Sequence, residues 1–240
     1  MTRVGAFVRS LLRRTGFDIV RFVPDVQHPF AVLPYLVKEA VEAGEPFFFV
    51  QVGASDGLLD DPLRPLITQY ALPGLLIEPL PDVYTRLVRR YEGHSQLRFE
   101  NVAVSTRPGP FTIYRVREDA PLSPYMQLLA SHRRSHLIKE GVADRYIEAV
   151  EVPAVTLGQL LARHGIREVS LLVVDTEGHD YDIVKSALSS GVLPRIVNYE
   201  HCHLPPRVRV DAKRLLQTHG YRFIEVGKDT LAVRNAWRDT

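Results

Sequence analysis

Cysteine is almost absent from this sequence: Cys202 is the only one in 240 residues. An internal disulfide is therefore excluded, and a reducing, cytoplasmic setting is the expectation. Long apolar runs are missing too. No stretch approaches the roughly eighteen apolar residues that a membrane-spanning helix needs. The opening stretch, MTRVGAFVRSLLRRTGF, interrupts its apolar positions with arginines, which is not the pattern of a secretory signal. An excess of one charge is also lacking. Thirty Lys and Arg against 28 Asp and Glu leave a formal net charge of +2, without the concentrated basic face that nucleic-acid binding uses. There is no internal repeat and no low-complexity segment. What remains, 45% hydrophobic and 24% charged residues, is ordinary for a soluble globular chain. The length suits a single domain over residues 1–240, with an N-terminal helical segment (1–45) ahead of a core (46–234).

The core is organised around residues 47–78, FFFVQVGASDGLLDDPLRPLITQYALPGLLIE. Phe47 to Val52 form a short aromatic and β-branched run, the composition of a strand buried on both faces of a parallel sheet. Gly53-Ala54-Ser55-Asp56-Gly57 follows, with two glycines that permit a tight turn whose bare backbone N–H groups face a ligand. A second apolar run, Leu75-Leu76-Ile77, ends on Glu78. An acid about twenty residues past such a turn is where a nucleotide-binding βαβ unit accepts ribose hydroxyls. The loop has two glycines where the dinucleotide fingerprint has three, which ranks an oxidoreductase well below other nucleotide-type cofactors.

Three motifs, VQVGASDGLLDDPL, LLIEPLPDVYTRL and LLVVDTEGHDYDIVKSAL, resemble the FkbM family of S-adenosylmethionine-dependent methyltransferases, in register over residues 47–233. The resemblance implies a class I methyltransferase fold, that is, a Rossmann-like doubly wound α/β sheet with a C-terminal antiparallel hairpin. It implies S-adenosylmethionine (SAM) as methyl donor, and O-methylation of a sugar, glycoconjugate or secondary metabolite. Gln51 stands where many class I enzymes carry an acid, and its amide serves the methionine end by accepting and donating hydrogen bonds. Gly53, Ala54, Ser55, Asp56, Gly57 and Glu78 then line the cofactor, and Asn101, Val102 and Ala103 are its adenine edge by resemblance.

Elsewhere the patterns predict helices over residues 4–14, 31–43, 82–91, 156–165, 180–188 and 205–219. Strands are expected over 97–104, 111–116, 169–174 and 195–199, with a hairpin of 221–226 and 230–234 across Gly227-Lys228-Asp229. The basic amphipathic helix at 4–14 reads as packing on the domain or on a second copy of the chain, in preference to an anionic membrane. Asp60-Asp61-Pro62 reads as a helix start, with a metal site as the lesser alternative. Residues 117–150 lack strand character and read as a lid or substrate insertion, helical in part, for instance over 125–140.

Ligands in open α/β sheets bind outside the carboxyl ends of the strands. Those ends gather Asp175-Thr176-Glu177-Gly178-His179 and Glu200-His201-Cys202-His203, so Asp175, His179, Glu200 and His201 are the catalytic candidates, with Asp175 also facing the cofactor. A hydroxyl acceptor must lose a proton. The base is drawn from His179, His201 or His203, or from His132 of the insertion. Alternatively a divalent cation such as Mg²⁺ at Asp175, Glu200 and His201 acidifies the hydroxyl. A non-catalytic scaffold that keeps the fold is the competing reading, disfavoured by the intact loop glycines and acid-rich strand ends.

Overall fold

The computed structural model describes residues 32–59 and 61–235. The predicted helix at 4–14, the irregular stretch at 17–29 and Asp60 lie outside the described residues. Helix α1 (Val32–Glu42) leads into strand β1 (Phe49–Val52), and from Val37 onward the chain forms one compact unit. Alternating elements follow: α2 (Arg64–Tyr70), β2 (Gly74–Ile77), α3 (Pro81–Arg90), β3 (Leu97–Glu100), β4 (Ala103–Val104) and β5 (Gly109–Val116). Next come α4 (Pro124–Gln127), β6 (Ala130–Ser131), α5 (Arg134–Lys139) and β7 (Ile147–Val155). The chain closes with α6 (Leu157–Arg163), β8 (Leu171–Val174), α7 (Asp180–Ser189), β9 (Ile196–Glu200), α8 (Pro206–Thr218), β10 (Tyr221–Val226) and β11 (Asp229–Arg234).

The main sheet has seven strands in the order β10-β11-β9-β8-β1-β2-β3. β3, β2, β1, β8 and β9 run parallel, and β11 and β10 return antiparallel. This is the doubly wound α/β fold with a closing hairpin that the class I methyltransferase resemblance implies. Every residue of β1, β2 and β8 is buried, as parallel strands covered on both faces must be. Val50, Val52, Leu75, Ile77, Leu172 and Val174 form one core with Leu157, Leu160 and Leu161 of α6, Ile183, Val184 and Ala187 of α7, and Ala212 and Leu216 of α8. The intervening residues Phe49, Leu76, Leu171 and Val173 are equally buried on the opposite face.

Two strand expectations need correction. The predicted 97–104 strand breaks at Asn101. Its first half joins the main sheet, and Ala103–Val104 pairs instead with β7. The Asn101 amide causes the turn by donating from Nδ2 to the carbonyls of Glu78 (2.8 Å) and Pro79 (3.0 Å). The strandless reading of 117–150 fails at its end, where Ile147 begins a nine-residue strand paired antiparallel to all of β5. Its Pro153 and surface glutamates Glu148 and Glu151 mask the alternation. The strand belongs to a small second sheet, β4-β7-β5-β6, in which β4 pairs only with Ala154 and Val155, so Pro153 interrupts no pairing with β4. Within the insertion, only Pro124–Gln127 and Arg134–Lys139 of the expected 125–140 helix are α-helical, with β6 between them.

The small sheet packs its Ile113, Val152 and Ala154 against Leu80 and Val83 at the start of α3. Arg115, almost fully buried, ties it there through a bidentate pair with Asp82. The second sheet is thereby held over the carboxyl edge of the first.

Candidate functional site

A cavity of about 440 Å³ opens at the carboxyl ends of β1, β2 and β8, within the size range of small-molecule sites. The glycine turn forms one wall. Gly53 (φ +80°) passes so close to β8 that a Cβ would fall 1.8 Å from the Asp175 carbonyl oxygen. Only glycine fits both constraints. Gly57 (φ +67°) lies instead against Leu87 and Tyr91 of α3 and, like Asp56, is not on the cavity wall. The Asp56 carboxylate accepts from the backbone N–H groups of Leu58 and Leu59 and shapes the turn. The turn's donors are not bare. The Gly53 and Ala54 N–H groups reach the Ile77 carbonyl, and the Ser55 N–H reaches Glu78.

Glu78 lies on the wall, its two oxygens accepting from the N–H groups of Ser55 and Leu80, each at 3.0 Å. Burial outweighs those bonds and pushes its carboxyl up to about 7. Next to it Val102 and Ala103 give an apolar surface, while Asn101 stays behind the wall as the strand-breaking residue.

Gln51 donates from Nε2 to Asp61, whose carboxylate also takes the Leu63 N–H and the Tyr91 hydroxyl. Asp61 thus supports the cavity wall as well as the approach to α2, which begins at Arg64, later than the sequence suggests. The Gln51 Oε1 atom is buried with no hydrogen-bond partner. The register Gln51–Val173–Asn198 places Asn198 in the same row and facing the same cavity. The sequence signal for Asn198 is a polar residue inside the buried strand IVNYE. Lys228 and Asp229 of the hairpin turn also line the cavity. Their turn chemistry was legible, but their proximity needed the β9–β11 pairing.

Beyond β8, Asp180 pins the loop by accepting from the N–H groups of Thr176 and Gly178. It, rather than Glu177, braces the start of α7. Glu177 has a left-handed backbone (φ +53°), and its carbonyl accepts from the Ser131 hydroxyl of the insertion. Burial, reinforced by the neighbouring carboxylates, raises both Asp175 and Glu200 well above the usual carboxylate range. Lys228 opposes this, its Nζ standing 3.5 Å from Glu200.

His179 and His132 share the cavity wall, their rings 4.9 Å apart, and Phe111 lies 5.5 Å from the His179 ring. The His179 Nδ1 stands 3.4 Å from an Asp182 oxygen, and both ring nitrogens are buried without a hydrogen-bond partner. Burial depresses the basicity of both imidazoles, that of His132 to about 4 with help from neighbouring His179 and Arg133. His132 is therefore neutral at pH 7. The other two predicted catalytic residues do not line the cavity. Glu200 is buried behind Asp175. His201 faces the hairpin, with Nδ1 3.1 Å from the Thr230 hydroxyl and Nε2 3.9 Å from Glu225. Asp175, Glu200 and His201 accordingly do not converge as one set of metal donors. His203 and His136 instead turn toward Glu177 and Glu200.

The family model described as the Methyltransferase FkbM domain matches residues 51–223. The chain belongs to the FkbM methyltransferase family. The matched span begins at Gln51 on the cavity wall and ends within β10, so it contains the cavity groups described above except Lys228 and Asp229. No curated protein matches the sequence. Among solved structures, the METTL16 methyltransferase domain is similar at 12% identity and a TM-score of 0.46, over 96% of this chain and 79% of that one. A human methyltransferase 10 domain containing protein gives 12% identity and 0.43, covering 96% of each chain. The fibrillarin pre-rRNA processing protein of Methanococcus jannaschii gives 9% and 0.43, with 78% of this chain spanning 65% of that one.

The cavity fits the donor implied by an FkbM methyltransferase. The orphaned Gln51 Oε1 is an acceptor suited to the ammonium of SAM. Glu78 suits its ribose hydroxyls, and Val102 with Ala103 its adenine.

Proposed function

We propose that this FkbM-family protein transfers a methyl group from SAM to a hydroxyl of a small molecule, with a sugar, glycoconjugate or secondary metabolite as the acceptor class. Bound SAM supplies a methyl group on an electrophilic sulfonium. The chain's own residues hold the acceptor in line and manage its proton. Glu78 receives the ribose, Gln51 the methionine end, and the Gly53–Ser55 turn keeps the approach narrow. Asp175, at the end of β8, faces the same cavity.

The observation that carries O-methylation is His179. Its desolvated imidazole lines the cavity with both ring nitrogens buried and without a hydrogen-bond partner, and Asp182 stands 3.4 Å from Nδ1. That is the arrangement of a general base, able to take a proton at Nε2 while the carboxylate steadies the resulting charge. His132 lies close by, its ring 4.9 Å from that of His179. Tyr125, half exposed on the same wall, and Phe111 provide apolar faces for a ring-shaped acceptor.

The test is SAM-dependent methylation of a panel of glycosylated and polyketide alcohols, read by mass spectrometry of the product. Transfer to oxygen by wild type, with kcat reduced about 100-fold or more in His179→Ala and SAM affinity retained, supports the reading. Methylation confined to nitrogen or carbon acceptors would overturn it.

A further inference from the structure

Three chain segments distant in sequence bring His136, Glu177 and His203 together beside the cavity. His136 sits on α5 of the insertion, Glu177 follows β8 and His203 follows β9. His136 Nε2 lies 2.9 Å from Glu177 Oε2, and His203 Nε2 lies 3.3 Å from the same oxygen and 3.4 Å from Glu200 Oε2. The two imidazole rings meet edge-on, centroids 4.4 Å apart. One donor atom from each of His136, Glu177 and His203 falls within 4.8 Å of the others, as does one from each of Asp175, Glu177 and Glu200.

The separations match a coordination sphere. An ion held about 2.0–2.2 Å from nitrogen and oxygen donors sets adjacent donors roughly 3.0–3.5 Å apart. A second observation points the same way. His136 Nε2, Glu177 Oε2 and Glu200 Oε2 are buried atoms without a hydrogen-bond partner. His136 is 8% and Glu200 2% exposed, so water does not satisfy them. Their closeness without hydrogen-bond alignment leaves their desolvation uncompensated, and a cation among them would compensate all three at once.

We infer that His136, Glu177 and His203, backed by Glu200, form a binding site for a divalent transition-metal ion. Two imidazoles with one or two carboxylates select zinc, cobalt, iron(II) or manganese over magnesium, which prefers all-oxygen, largely hydrated sites. The donor set differs from the one read in the sequence, replacing His201 and Asp175 with two histidines that neither strand end alone brings together. Because His136 belongs to the insertion while Glu177, Glu200 and His203 belong to the ends of the main sheet, the ion clips the insertion over the cavity. The site stands independently of the acceptor and of the methyl donor, and it is measured without either.

The experiment is titration of tag-free, chelator-stripped protein with Co²⁺, followed by its visible absorption, then displacement by Zn²⁺ and by Mg²⁺. The expected result is a spectrum saturating at one equivalent, displaced by Zn²⁺ and unaffected by millimolar Mg²⁺. His136→Gln and His203→Gln each weaken Co²⁺ binding more than about tenfold, and His219→Gln, on the far helix α8 cap, binds as wild type. No saturable spectrum from folded wild-type protein, displacement by Mg²⁺, or unchanged binding in both ligand variants overturns the site. Circular dichroism checks folding. Should one variant fail to fold, the other variant and the wild-type spectrum decide between these outcomes.

Discussion

The Cα of Gly53 faces the backbone carbonyl of Asp175 so closely that a Cβ would come within 1.8 Å of the oxygen. This contact seats the glycine turn on the end of β8 and brings the turn and Asp175 into one cavity. Gly53→Ala must either force the two strand ends apart or leave the left-handed region. It is expected to cost about 3 kcal/mol of stability and to lose SAM binding, measured by thermal unfolding and calorimetry.

Glu78 makes stability depend on pH. Its folded pKa, raised to about 7 by burial, lies above the ordinary carboxylate value of 4.5. The folded state therefore binds the proton more tightly than the unfolded state, and stability is lost as pH rises from about 4.5 through 7. Asp180, raised to about 7 for the same reason, adds in the same direction. In the ligand-free protein, Glu78→Gln should start less stable at pH 5, because its amide cannot accept from both Ser55 and Leu80. Its melting temperature should then fall less between pH 5 and 8 than that of wild type. Parallel curves for the two proteins would remove the assignment.

In the proposed reaction Asp182 acts through His179. Asp182→Asn keeps the side chain's size while removing the charge 3.4 Å from Nδ1. We expect kcat to fall about tenfold or more with the KM for SAM unchanged, and the acid limb of the pH–rate profile to move to lower pH. A profile identical to wild type would mean that His179 is not the base.

Arg115 joins the two sheets. It lies almost fully buried on β5 and binds Asp82 at the start of α3 through two hydrogen bonds. Burial pushes the Asp82 carboxyl up, but the guanidinium outweighs it and holds the carboxyl below its usual range. Arg115→Met should destabilise the fold by about 2 kcal/mol, read by chemical denaturation, with most of the loss in the small sheet by hydrogen exchange.

The main sheet was legible because its central strands are short, buried and mostly apolar, with Gly, Pro and acidic residues at their ends. That Gly53, Glu78 and Asp175 line one cavity was legible for the same reason, since each directly follows a strand of the sheet. The second sheet was not. β4 is two residues long, and β7 carries a proline and solvent-facing glutamates that hide its period of two. His201 misled because a strand end gives direction only to its last residue. The chain turns immediately after Glu200, sending His201 to the hairpin and His203 back toward Glu177. The meeting of His136 with Glu177 had no local signal, since it depends on how the insertion folds.

The most direct test of the central claim is calorimetric titration of SAM into wild type, Gln51→Ala and Glu78→Ala. Saturable one-to-one binding by wild type, weakened at least about tenfold by each substitution in proteins that remain folded, is the predicted result. No binding by folded wild-type protein, or equal affinity in all three, would contradict the placement of the methyl donor in this cavity.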